Sequence, residues 1–379
     1  MADAHRPDST DTLADIIADA ARDGTRLRLR GGGSKDAIGA PTPEARVVDM
    51  RSFAGVVDYD PPELVLTVKA GTPLAEIQAL VADKGQMLAF DPFDHGAMLD
   101  GADGDATIGG IVAAGVAGPT RVSRGAARDH LLGFIGVSGR GERFVAGAKV
   151  VKNVTGYDLP KVITGSWGRL AAITELTLKV LPAPRVRLTL GVAGLDAASA
   201  VAAMARAMGS AAEVSAAAHL PAWNGGTLTA IRLDGFASSV DARAAIVTRL
   251  IDGIAPIADD EATTLWPAIA TAAPLAGDAP LWRIIVPAAR VAALIDTLGS
   301  RDWLLDWAGG LLWLASADDP QTIRAATAAA GGHAMLVRAD AATRTTTPAL
   351  HPQPVALAAL EERVRRAFDP AGVFETGRF

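Results

Sequence analysis

Residues 30–39 read RGGGSKDAIG, and the three successive glycines decide how the rest of the chain is understood. Glycine loses more conformational freedom on ordering than any other residue, so Gly31, Gly32 and Gly33 need a reason to be bare. The alternating RLRLR before them reads as a strand, whereas DAIGAPTPEA after them reads as loop. No helix follows to aim its N-terminus at an anion. A phosphate held here would lie in a nest of backbone N–H groups, which needs glycine for its φ values. Ser34 would add a hydroxyl and Lys35 a positive charge. Taken alone, the stretch is better explained as a hairpin turn.

It does not stand alone. Residues 100–121, DGADGDATIGGIVAAGVAGPTR, form a second run dense in glycine and small residues, read as a loop apolar enough to be buried. Small residues there let a flat ligand approach the backbone. GPTRVSRGAARDHLLG follows, with the cations Arg121, Arg124 and Arg128 and the acid Asp129. A third cluster, VVKNVTGYDLPKVITGSWGRLAAITELTLKV, again sets Gly165, Ser166 and Gly168 before a strand. Three such loops, each attached to a strand, suggest walls of one long site for an extended ligand carrying a diphosphate.

The 379 residues are too many for one ordinary core, so two domains are expected. A formal charge of −6 gives no general attraction for nucleic acid. With no cysteine, disulfides, thiolate metal sites, cysteine nucleophiles and a cluster ligated by this chain are excluded. The six histidines show no ligand spacing, and His95 and His130 read as structural. G-x-x-x-x-G-K-[ST], G-x-G-x-x-G, H-E-x-x-H and G-x-S-x-G are all absent. The charged N-terminus lacks a signal core, and no stretch approaches the roughly 18 apolar residues of a spanning helix. A soluble cytoplasmic protein is expected, with any membrane association made through partner subunits.

STDTLADIIADAARDG predicts a helix capped by Ser9 or Thr10 and closed by Gly24; TPLAEIQALVADKG predicts another, capped by Thr72. Two prolines in LPAPR, residues 181–185, mark a boundary. Beyond it strands and helices alternate, and LWRIIV, RVAALIDTLGS, DWLLDW, LLWLAS, DPQTIRAATAAAGG and AMLVRA match a split β-α-β unit with an antiparallel sheet. Trp303 and Trp307 are read as large core or interface residues of the strand DWLLDW. The helix PVALAALEERVRRAF and the tail DPAGVFETGRF end the chain.

The order GGGSK, YDPPELVLTVKAGTPLAEI, FDP, TIGGIVAAGVAGPTR, GAARDHLLG, VVKNVTGYDLPK and GSWGRLAAITELTLKV resembles the FAD-binding domain of the vanillyl-alcohol oxidase and p-cresol methylhydroxylase (PCMH) superfamily. Within it the chain is similar to the E subunits of bacterial glycolate oxidases. The resemblance implies an α+β protein: a PCMH-type FAD domain of two α+β subdomains over 1–182, an α+β cap with an antiparallel sheet over 183–350, and a segment, 351–379, returning to the FAD domain. It places Gly31, Gly32, Gly33, Ser34 and Lys35 at the FAD diphosphate. Thr107, Ile108, Gly109, Gly110, Gly115 and Gly118 would line diphosphate and flavin. Asp129, Gly165, Ser166 and Gly168 would lie along the ribityl and adenine side, and Ile173 would meet the adenine through its backbone.

Some relatives bond a histidine of the glycine loop to the flavin. Ser34 stands there in this chain, so a non-covalent cofactor is expected. Arg169 and Ala171 replace two glycine-motif residues, and Glu375 and Thr376 replace an Asn-Pro pair in the tail. The resemblance implies oxidation of glycolate, a small 2-hydroxy acid, to glyoxylate, with a larger FAD-binding subunit and an iron–sulfur subunit as partners. A non-catalytic FAD-binding assembly subunit and a free-standing flavin oxidase of another alcohol or hydroxy acid remain as alternatives. No catalytic base is assigned; Lys152, Tyr157, Arg378 and Glu375 are candidates.

Overall fold

The computed structural model describes residues 4–99, 101, 104–147 and 157–379. Helix α1 (Thr10–Asp23) begins where the Ser9 hydroxyl accepts from the Thr12 N–H, and ends at Gly24 with φ 69°. Its apolar stripe, Leu13 and Ile17, is fully buried. Strand β1 (Leu27–Arg30) then pairs in parallel with β2 (Arg46–Asp49).

Strands β3 (Val56–Asp60) and β4 (Val65–Lys69) start the main sheet of this half, and α2 (Leu74–Asp83) covers it. The expected Thr72 cap does not form: the Thr72 hydroxyl donates to the Lys69 and Gly55 carbonyls instead, and Pro73 opens the helix. The two-residue strand β5 (Gln86–Met87) follows. Residues 108–114 are not loop, because α3 (Ile108–Ala114) forms there, capped by Thr107 through the Gly110 N–H. The short α4 (Arg121–Arg124) and α5 (Ala127–His130) lead to β6 (Leu131–Ser138) and β7 (Arg143–Gly147). After α6 (Leu159–Ile163), β8 (Ala171–Lys179) returns to the middle of an antiparallel sheet ordered β3-β4-β8-β6-β7. β9 (Leu181–Pro182) pairs with β5.

The second half is one antiparallel sheet. β10 (Val186–Val192), α7 (Ala197–Met208), β11 (Ala216–Trp223), β12 (Gly226–Gly235), α8 (Ala237–Leu250) and β13 (Ala255–Pro256) form one β-α-β-β-α-β unit. After α9 (Asp259–Ala270), the run β14 (Leu281–Ile285), α10 (Ala288–Leu298), β15 (Trp303–Asp306), β16 (Leu311–Ala315), α11 (Pro320–Ala329) and β17 (His333–Arg338) repeats the pattern. The sheet order, β13-β10-β12-β11-β15-β16-β14-β17, is the same unit twice, joined back to back where β11 meets β15. Trp307 lies outside the strand, in a tight turn with φ 53°.

Alternation sorts the faces. Trp282, Ile284, Leu312 and Leu314 pack beneath the helices. Leu281, Leu304, Leu311 and Trp313 face the other way, sharing a cluster with Ile38, Met98 and Ala117 of the first half. Helices α12 (Ala341–Thr346) and α13 (Val355–Phe368) lead to the tail. Val373 and Phe374 are buried beside Leu13, Ile17 and Leu27, and the Leu27 N–H donates to the Val373 carbonyl. Losing the Ser9 cap by Ser9→Ala should destabilise the protein by about 1 kcal/mol, read from urea unfolding.

Candidate cofactor site

Two glycine-rich segments meet, and the closeness of their contact explains their glycines. A Cβ on Gly32 would lie 1.6 Å from the Asp105 carbonyl oxygen, and one on Gly31 would lie 2.3 Å from the Thr107 hydroxyl. Of the three, Gly33 has a positive φ, 99°. Bare backbone at 31 and 32 is therefore demanded by the neighbouring segment, not by φ. That segment is held by Asp94, whose carboxylate accepts from the N–H groups of Gly96, Gly104 and Ala106, each at 3.0 Å.

Their junction opens into a cleft. It is lined by Gly31, Gly32, Gly33, Ser34 and Lys35 on one side and Thr107, Gly109 and Gly110 on the other. Gly168 and Ile173 close it, so β8 and the turn before it form the third wall.

The other expected site residues do not reach this cleft. Ile108 is fully buried in the core of the first half. Gly115 ends α3 with φ 64°, and a Cβ there would meet Gly165 at 3.3 Å, so these two glycines let α3 pack on the turn after α6. Ser166 shares that turn, its hydroxyl oxygen buried without a partner among the described residues. The Gly118 carbonyl accepts from the Trp307 indole N–H at 3.0 Å, at the junction of the two halves. Asp129 accepts from the Ala126 N–H and stabilises its own turn.

Sequence reasoning missed Trp167, which lines the cleft with φ 57° and lies 4.7 Å from the Phe379 ring. A single aromatic between glycines in GSWGR was the available signal.

The base candidates fare poorly. Arg378 lines the cleft but donates to the carbonyls of Ile38 and Lys35, so it staples the glycine loop and is not a base. Glu375 lies 3.2 Å from Arg365 and 3.5 Å from Arg169, locking the tail. Tyr157 is 89% exposed. Lys152 lies outside the described residues. At His95, burial, with the charges of Lys35 and Arg283, holds the imidazole well below the usual range, hence neutral. It stacks on Phe93, and its Nδ1 has no partner among the described residues.

Burial lowers the Lys35 ammonium to about 8, against the opposing pull of Asp94. A diphosphate beside it would favour the charged form and raise that value. Cofactor affinity should accordingly be full below pH 8 and fall above it, since binding then requires proton uptake, by as much as about tenfold per pH unit. Fluorescence titrations at pH 7 and 9.5 test this. A pH-independent affinity, or one whose pH dependence survives Lys35→Ala, would remove Lys35 from the site.

Burial also raises the Asp306 carboxyl from 3.8 to about 7, although the Trp307 N–H favours its charged form. Between these values the native state holds a proton that the unfolded chain has lost, so Asp306 makes the fold less stable as pH rises from about 4 toward 7. Asp306→Asn should flatten that decline in urea midpoints. An unchanged slope would show that Asp306 does not titrate there.

A cleft walled by bare backbone, with a buried lysine and an aromatic at its rim, fits an extended phosphate-bearing cofactor. The fold and site define an FAD-binding protein. The family profile described as FAD binding domain matches residues 4–147. Over 375 residues, covering 98% of this chain and 97% of the relative, the sequence is 33% identical to glycolate oxidase subunit GlcE of Escherichia coli. It is 29% identical to glycolate oxidase subunit GlcD of Bacillus subtilis over 48% of this chain and 38% of that one. A solved alkyldihydroxyacetonephosphate synthase superposes with TM-score 0.68 at 15% identity, covering 97% of this chain and 75% of that one, a likeness of fold. The chain belongs to the glycolate oxidase subunit GlcE family of FAD-binding oxidoreductases.

Proposed function

We propose that this chain is the E-type subunit of a complex that oxidises glycolate to glyoxylate, carrying its own non-covalent FAD. The whole-length likeness to the Escherichia coli subunit carries the reading. When bound, FAD would supply a two-electron acceptor for the α-carbon hydride. The residues of this chain do the rest: Gly31–Gly33 and Gly109–Gly110 bring backbone close to the cofactor, Lys35 offsets phosphate charge, and Arg378 holds the loop shut.

Electrons must then leave. The chain has no cysteine, and no group of three or more potential metal ligands stands together among the described residues. A larger flavoprotein subunit and an iron–sulfur subunit are the proposed partners. On α13 Leu357 and Leu360, one turn apart on one face, are 44% and 47% exposed, and would suit docking. The test uses the purified chain with FAD, glycolate and a redox dye. Repeated bleaching and recovery should require the partner subunits; sustained cycling by the chain alone would make it a self-sufficient oxidase.

A further inference from the structure

Two arginines flank one indole where the halves meet. The Arg121 guanidinium carbon lies 4.6 Å from the Trp307 ring centre, and that of Arg283 lies 5.0 Å from it. Trp307 is fixed there by its left-handed backbone and by its indole hydrogen bond to the Gly118 carbonyl. Arg283 sits on β14 with Leu281 and Ile285, on the sheet face turned toward the FAD half. Both guanidiniums are mostly withdrawn from solvent, yet neither has a hydrogen-bond or ion-pair partner among the described residues.

That arrangement is unusual. Buried cations are ordinarily paired, and two brought together repel. Elsewhere along the same junction the rule is kept, with Arg124 and Arg232 both bonded to Asp234. The nearby acids Asp306 and Asp129 act on Arg283 and Arg121 only through space: Asp306 accepts from the Trp307 N–H and Asp129 from the Ala126 N–H, and neither forms an ion pair with these arginines among the described residues. Arg283 and, from the cleft, Lys35 both bear electrostatically on His95.

We infer that Arg283, supported by Arg121 across Trp307, is the receptor for the carboxylate of a small monocarboxylate ligand. Arg283 supplies the fork that a carboxylate matches. Arg121 adds field, and the Trp307 ring sets one apolar wall. The neutral His95 imidazole, close enough to feel the charges of both Arg283 and Lys35, would meet a 2-hydroxyl of the ligand. The assignment deepens the proposed function and rests on it for the substrate class.

The test is calorimetric titration of sodium glycolate, and of uncharged ethylene glycol, into the full chain with saturating FAD. Flavin content and circular dichroism are measured for every variant. Glycolate should bind and ethylene glycol should not. Arg283→Gln should weaken glycolate binding by about 10- to 100-fold, Arg283→Lys less, and Arg121→Gln by several-fold, all with unchanged flavin content. Should Arg283→Gln fail to fold, Arg283→Lys and Arg121→Gln carry the test. Equal glycolate affinity in wild type and folded variants, equal binding of ethylene glycol, or no glycolate binding would overturn the assignment. Arginine-dependent glycolate binding by a chain that takes up no FAD would preserve this site while defeating the proposed function.

Discussion

Gly32→Ala is expected to cost the protein its cofactor, raising the FAD dissociation constant about a hundredfold or more, ~2.8 kcal/mol. The added Cβ would occupy a position 1.6 Å from the Asp105 carbonyl oxygen, and neither that backbone oxygen nor a Cβ fixed to Cα can swing aside. The Asp94 carboxylate ties the 104–106 segment down through two N–H groups, while Arg378 holds the glycine loop from the other side. Relief must therefore come from parting the two walls of the cleft. Gly226→Ala is the control, since a Cβ there meets nothing within 4 Å and φ is ordinary. FAD retention in Gly32→Ala equal to that of the control would leave the triple glycine as a turn unconnected with the cofactor.

Asp234→Ala should produce the largest loss of stability, about 3–5 kcal/mol in urea unfolding. The Asp234 side chain is 2% exposed and accepts from Arg124 at 2.6 Å and Arg232 at 3.2 Å. Its removal strands two guanidiniums at the junction of the halves, with Arg232 left to a longer contact with Asp91 at 3.4 Å. Asp234→Asn, which keeps the shape and one acceptor, should cost less. An unchanged midpoint for Asp234→Ala would mean that water already serves these charges.

Much of the fold was legible because local signals agreed with it. Ser9 and Gly24 bracket α1, and the split β-α-β order of the last six elements follows from alternation and spacing. The failures have physical causes. AAAHLPAW, residues 216–223, carries no local strand signal, since alanine favours helix and proline breaks ladders. It becomes β11 because β12 and β15 flank it, and alanines suit a strand covered on both faces. Residues 108–114 look like loop because glycine depresses helix propensity, yet the Thr107 cap and packing of Ile111 and Val112 make a helix.

The site divides in the same way. Gly31–Lys35, Thr107, Gly109 and Gly110 were legible as cleft walls because composition marks close backbone approach. That the approach at Gly31 and Gly32 is to Asp105 and Thr107 was not, because it joins residues some seventy positions apart. Gly118 lies away from the cleft: a Cβ there would meet the Asp91 carbonyl oxygen at 2.4 Å, and its own carbonyl accepts from Trp307. Trp307 itself looked like a strand residue until its positive φ and its two arginines set it at the junction.

The most direct measurement is one absorbance spectrum of the FAD-reconstituted chain, freed of excess cofactor, before and after acid precipitation. The account predicts close to one flavin per chain, released entirely into the supernatant. No retained flavin, or flavin that stays with the pellet, would contradict a non-covalent FAD held between the two glycine walls.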